Sequence, residues 1–141
     1  MELSLTKKEL RLLCDLVYIG NWIVNSPRGE ERIAPYDAVE SRVFYAAAKE
    51  GMPELADITS YGTIPSQPYV DGGIHEAIMD YEDACFFNIL AEELARRDLK
   101  DKDVDGEDHD ELQALIDEYF YEFSVNGIDN VTVRGIGDKT E

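Results

Sequence analysis

Carboxylates at alternate positions are the most suggestive chemistry in the chain. Asp101, Asp103 and Asp105 run into Gly106, with Glu107 and Glu111 close behind. Alternate oxygens on a short loop can converge on a hard divalent cation, and a glycine permits the sharp bend that such a loop needs. A second group lies upstream, where Glu76, Asp80 and Asp83 recur at i, i+4 and i+7 beside His75. Three like charges on one helical face cost a few tenths of a kcal/mol per pair unless a cation relieves them. Arg28, Arg32 or Arg42 could do so by ion pairing, which is the preferred reading; a metal with His75 as nitrogen ligand is the alternative.

The run from Asp101 to Gly106 resembles the first half of the EF-hand calcium loop, with helical sequence on both sides as that family has it. The resemblance implies calcium as the ligand, and the oxygens on offer are those of Asp101, Asp103, Asp105, Glu107 and Glu111. The second half departs from the pattern. Asp108 stands at the eighth position, where an apolar residue belongs, and Leu112 at the twelfth, where the bidentate Glu belongs; Glu111 comes one place early. There is no second loop to pair with. A solvated acidic turn that caps the next helix is therefore the preferred reading, and calcium is the only cofactor kept as an alternative.

Other chemistries find less support. The Glu-x-x-His spacing of di-metal helical bundles is absent, since Gly72 precedes His75 by three and Gly106 precedes His109 by three. Asp71-Gly72-Gly73 before a helix could cradle an anion, but Glu76 and Asp80 would oppose one. Cys14 and Cys85 sit in apolar helical segments with no adjacent base to favour a thiolate, so they read as small hydrophobes rather than as nucleophiles or a disulfide. No phosphate-binding loop and no triad can be assembled.

Charge narrows the partners. The 141 residues carry a formal net charge of -18, unevenly: residues 1–70 hold 10 acids and 7 bases, residues 71–141 hold 21 and 6. Such a field repels nucleic-acid phosphates and anionic lipid, so no nucleic acid and no membrane is expected, and a basic protein is the natural partner. No apolar run approaches the ~18 residues of a spanning helix, and Met1-Glu2-Leu3-Ser4 does not begin like a signal peptide. Cytoplasmic location is the expectation.

The elements follow from periodicity. Thr6 with Glu9 forms a capping box for a first helix from Lys7 to about Asn25, its core stripe read as Leu10, Leu13, Val17, Gly20 and Val24. A second helix runs from Pro35 or Asp37 to Glu50, capped by Asp37 with Glu40, with Val39, Val43 and Ala46 or Ala47 inward. Residues 53–72 are rich in Pro and Gly and read as a long connection in which Ile58 to Tyr61 could form a strand. A central helix from Gly73 to Leu99 has two apolar stripes, Ile74, Ile78, Tyr81, Cys85, Ile89 and Phe87, Leu90, Leu94, and so calls for cover on two sides. After the acidic loop 98–110, a last helix carries Leu112, Leu115, Ile116, Tyr119, Phe120 and Phe123. Asn130 to Arg134 then alternates like a short strand.

Together these predict a mainly α, single-domain chain over residues 1–141: a bundle of about four helices around the long central one, with a minor C-terminal β element. The function expected is non-enzymatic and rests on protein–protein interaction; the alternative is a divalent-metal (calcium) binding protein or a small metal-dependent enzyme. An interface is expected at Tyr18, Trp22 and Tyr121, which lie off the core stripes of their helices. A homodimer would use that patch twice.

Overall fold

A computed structural model describes residues 3–104, 106 and 108–133. The chain is mainly helical with one small antiparallel hairpin. It divides into two compact units, Met1–Met79 and Asp80–Glu141. The longest helix begins in the first and continues into the second.

In the first unit, helix α1 (Lys7–Asn25) starts as its sequence requires. Thr6 Oγ1 accepts from the Glu9 amide at 3.3 Å, and the Glu9 carboxylate accepts from the Thr6 amide at 2.8 Å. Helix α2 (Ala34–Lys49) has Pro35 in its first turn, but the expected Asp37–Glu40 capping box does not form. The Asp37 carboxylate instead accepts from Arg32 and from Asn21. The connection that follows is more structured than its composition suggests. Strands β1 (Ala56–Thr59) and β2 (Gly62–Pro65) pair antiparallel from Ala56 opposite Pro65 to Thr59 opposite Gly62. Gly62 takes φ +136 at the turn, a value that favours glycine. Ser66 caps the single turn α3 (Gln67–Tyr69), and a wide turn over Val70–Ile74 bends at Gly72 and Gly73 into α4 (His75–Asp98).

Helix α1 is turned relative to the stripe that its apolar residues suggest. Its buried face is Cys14, Tyr18, Asn21 and Asn25, at helical spacing, while Leu10, Leu13, Val17 and Val24 are half-buried. Leu12, Leu16 and Ile23 face outward, 61%, 69% and 51% exposed. Counting apolar residues alone misplaces the face, because Asn21 and Asn25 find hydrogen-bond partners inside and so cost little to bury. The core around them is Cys14, Tyr18, Phe44, Ala47, Met52, Leu55, Ala56, Tyr69 and Ile78. Phe44 and Tyr69 meet edge to face at 5.0 Å, Tyr18 and Tyr69 at 5.4 Å. On α2 the inward residues are Phe44 and Ala47; the expected Val39 is exposed.

The second unit packs Ala95 and Leu99 from the end of α4 against Leu112 of α5 (His109–Asn126), with Leu115, Ile116 and Tyr119 around them. Phe87 and Phe123 lie 5.9 Å apart. Of the two stripes expected on α4, Phe87, Leu90 and Leu94 are half-buried, whereas Tyr81 and Ile89 are exposed. The C-terminal strand is not formed in its described part: Asn130 lies in a turn and Val131 to Val133 are unpaired, while Arg134 lies outside the described residues.

The orientation of α1 is testable by urea denaturation followed through Trp22 fluorescence. Phe44→Ala should lower stability by about 3–5 kcal/mol, and Leu16→Ala, at protein concentrations low enough to exclude self-association, should stay within about 0.5 kcal/mol of wild type. Asn25→Leu, apolar and of similar size, should cost about 1–3 kcal/mol, because it strands the Ile33 amide that Asn25 accepts from at 2.8 Å.

Candidate functional site

Residues 18, 21, 22 and 25 of α1 follow helical spacing and present one side of the helix to α2 and to the start of α4. They carry polar groups, and the fold answers each of them. Asn21 Nδ2 donates to Asp37 at 2.9 Å, Asn25 Nδ2 donates to Asn21 Oδ1 at 2.8 Å, and the Ile33 amide donates to Asn25 Oδ1. Arg32 closes the network from the loop, with Nε 3.1 Å from the second oxygen of Asp37. The Arg32 guanidinium holds the Asp37 carboxyl below the usual carboxylate range, with Asn21 and Asn25 adding to the effect and partial burial opposing it.

Beside this network lies a cleft of about 410 Å³, lined by Tyr18, Asn21, Trp22, Ser26, Arg32, Glu40, Pro65 and Val70. Its floor is aromatic. The Tyr18 hydroxyl lies 2.8 Å from His75 Nε2, and Trp22 meets the His75 ring edge to face at 4.6 Å. Burial, and after it the charge of Glu40, pushes the Tyr18 hydroxyl up. Burial also pushes the Glu40 carboxyl above its ordinary value, against a hydrogen bond from Asn21 that lowers it. No cation forms an ion pair with Glu40 among the described residues. Sequence reasoning used Glu40 only as a capping residue; the signal it lacked was the inward turn of α1, which brings Asn21 to Glu40.

The three residues expected at an interface, Tyr18, Trp22 and Tyr121, differ in exposure. Tyr18 is buried against Tyr69 and His75 and reaches solvent only at the cleft. Trp22 stays 37% exposed at the cleft, 6.3 Å from Tyr18 between ring centres. Tyr121 is exposed and belongs to the second unit.

The acidic loop is organised by its own hydrogen bonds. The Asp103 carbonyl accepts from the amides of Gly106 and Asp108, and the Asp108 carboxylate accepts from the Asp103 amide at 3.1 Å. Glu111 is engaged by Lys102 in an ion pair, which opposes a role as metal ligand. Asp105 and Glu107 lie outside the described residues, and among the described residues no three His, Cys, Asp or Glu side chains are grouped to hold a metal, His75 and Asp101 included. The cations suggested for Glu76, Asp80 and Asp83 are engaged elsewhere in two cases, Arg28 on the Val24 carbonyl and Arg32 on Asp37. Cys14 and Cys85 are free thiols, the first fully buried.

Two outcomes follow. A carboxyl held below its ordinary value contributes stability that is present above the unfolded pKa and is lost as pH falls through the folded one. Asp37→Asn should therefore destabilise the first unit at neutral pH, and its deficit should shrink below about pH 4, measured by urea melts across that range. Calcium titrated calorimetrically into chelator-treated protein should show no micromolar binding; a micromolar constant lost in Asp103→Ala would establish the loop as a calcium site.

Compared with known proteins, the chain matches no family model, no curated protein and no solved structure.

Proposed function

We propose that the protein works in the cytoplasm by binding other proteins, without catalysis of its own, and that a second copy of this chain is the partner that its first helix meets. The observation that carries this reading is the outward leucine face of α1, where Leu12, Leu16 and Ile23 stand exposed while the polar face of the same helix is folded inward. Apolar residues lined up along an exposed helix are the usual material of helix-on-helix contacts. Gly20 lies on that face with no atom within 4 Å of where a Cβ would stand, so a partner's side chain has room there. An antiparallel, two-fold pairing centred near Leu16 would set Leu12 of each copy over Gly20 of the other, one patch used twice.

Charge supports the location of the contact. The first half of the chain carries 7 of the 13 bases and is nearly balanced, so the residues around α1 oppose the approach of a second copy little. The bundle about α4 that the sequence suggests belongs to the same reading, since Tyr81 and Ile89 of that helix also await cover. A basic protein remains the natural heterologous partner for the acidic half.

Light scattering tests the proposal. Wild type should be a dimer whose association strengthens with salt, as screening relieves repulsion between two chains of the same sign, and Leu16→Glu should be a folded monomer. A wild-type monomer removes the homodimer. A dimer that survives Leu16→Glu moves the interface elsewhere. Association with a basic protein would show the opposite salt dependence, weakening as salt rises.

A further inference from the structure

The cleft between α1 and α2 contains a group that contact through the leucine face leaves unused. Glu40 is a half-buried carboxylate whose nearest guanidinium, that of Arg32, is already engaged by both oxygens of Asp37. Asp37 and Glu40 set two carboxylates against the one guanidinium of Arg32, so the formal charge of this group is negative. Buried carboxylates are ordinarily paired, and among the described residues this one has no ion-pair partner within 4 Å, Arg32 acting on it only at longer range.

We propose that this cleft binds an aliphatic primary amine, its ammonium seated on the Glu40 carboxylate and its carbon chain laid along Trp22, Pro65 and Val70. The lining supplies both halves of such a ligand. Glu40 and the Ser26 hydroxyl offer acceptors for the three N–H donors of an ammonium, and the Trp22 indole is the aromatic face that attracts cations best. Pro65 and Val70 make the apolar part of the wall. A volume of about 410 Å³ lies at the small end of ligand sites and suits a chain of a few carbons. Anions are disfavoured locally by Asp37 and Glu40, and at long range by a net charge of -18 that gathers cations around the molecule.

Keeping an unpaired carboxylate in this position works against stability. Because burial raises its pKa, the stability associated with Glu40 is present below the unfolded pKa and is lost as pH rises through the folded one. Glu40→Gln should accordingly be at least as stable as wild type at pH 7, as expected where a residue is retained for binding rather than for folding.

Trp22 is the only tryptophan in the chain and lines the cleft, so its emission reports occupancy directly. The probes are n-pentylamine, the neutral 1-pentanol of the same chain length, and tetramethylammonium, which has the charge without N–H donors. The amine should change Trp22 emission saturably at pH 7, and both other probes should bind more weakly. Glu40→Gln should weaken the amine by about tenfold or more, the loss expected when a charged hydrogen-bonding partner is removed. Val70→Phe, which fills the cleft and leaves Glu40 in place, should abolish binding, and Glu54→Gln, outside the cleft, should leave it unchanged. Urea melts of each variant establish that it is folded. Equal binding of 1-pentanol or tetramethylammonium, an unsaturable response, or undiminished affinity in either folded Glu40→Gln or Val70→Phe overturns the proposal.

Discussion

The first unit depends on one carboxylate. Asp37 receives Asn21 and, at 3.4 Å, Asn25 from α1 and Arg32 from the loop, so α1 and the connection that follows it converge on two oxygens at the start of α2. That convergence lets α1 bury amides instead of leucines. A hydrogen-bonded amide inside a protein is close to neutral in free energy, whereas the same amide without its partner costs about 1–3 kcal/mol. The network is therefore specific as well as permissive: any rotation of α1 that buried Leu12 and Leu16 would take Asn21 and Asn25 from their partners and leave Asp37 with Arg32.

A second trio anchors the other end of the same helix face. Arg11 pairs with Asp15 and lies 5.0 Å above the Tyr69 ring, and the Tyr69 hydroxyl donates to Asp15 at 2.8 Å. Burial, reinforced by that bond to a carboxylate, pushes the Tyr69 hydroxyl well above its ordinary value. Between these polar anchors the aromatic contacts of Tyr18, Phe44 and Tyr69 fill the interior. The cleft lies beside this packing, with Tyr18 and Trp22 on its aromatic wall and Arg32 and Glu40 as its charged residues.

Much of the secondary structure was legible in the sequence, because caps and breakers act locally. Thr6 with Glu9 marks the start of α1, and Gly127 marks the end of α5. What depended on tertiary pairing was not legible. Of the hairpin, the strand read over Ile58 to Tyr61 overlaps β1 at Ile58 and Thr59; its partner could have been found from Tyr61-Gly62 standing before Thr63-Ile64, but Pro and Gly in the surrounding stretch masked it. The rotation of α1 had no apolar signal at all; Asn at i and i+4 on a helix reads as solvent-facing until Asp37 is placed opposite. The cleft inherits that blindness, since Glu40 acquires meaning only beside Asn21 and Trp22. The strand read into 130–134 had the alternation of a strand but no neighbour for its described residues.

Helix α4 carries a consequence of a different kind. From Met79 to Ala84 six successive residues are exposed, more than a full turn with no side chain buried, and three of the six are Asp80, Glu82 and Asp83. No burial supports the helical state of that turn, and crowded negative charge opposes its main-chain hydrogen bonds. Its amide protons should then exchange with solvent through local fraying, on a timescale uncoupled from global unfolding, and the same turn is where a protease would find the backbone first.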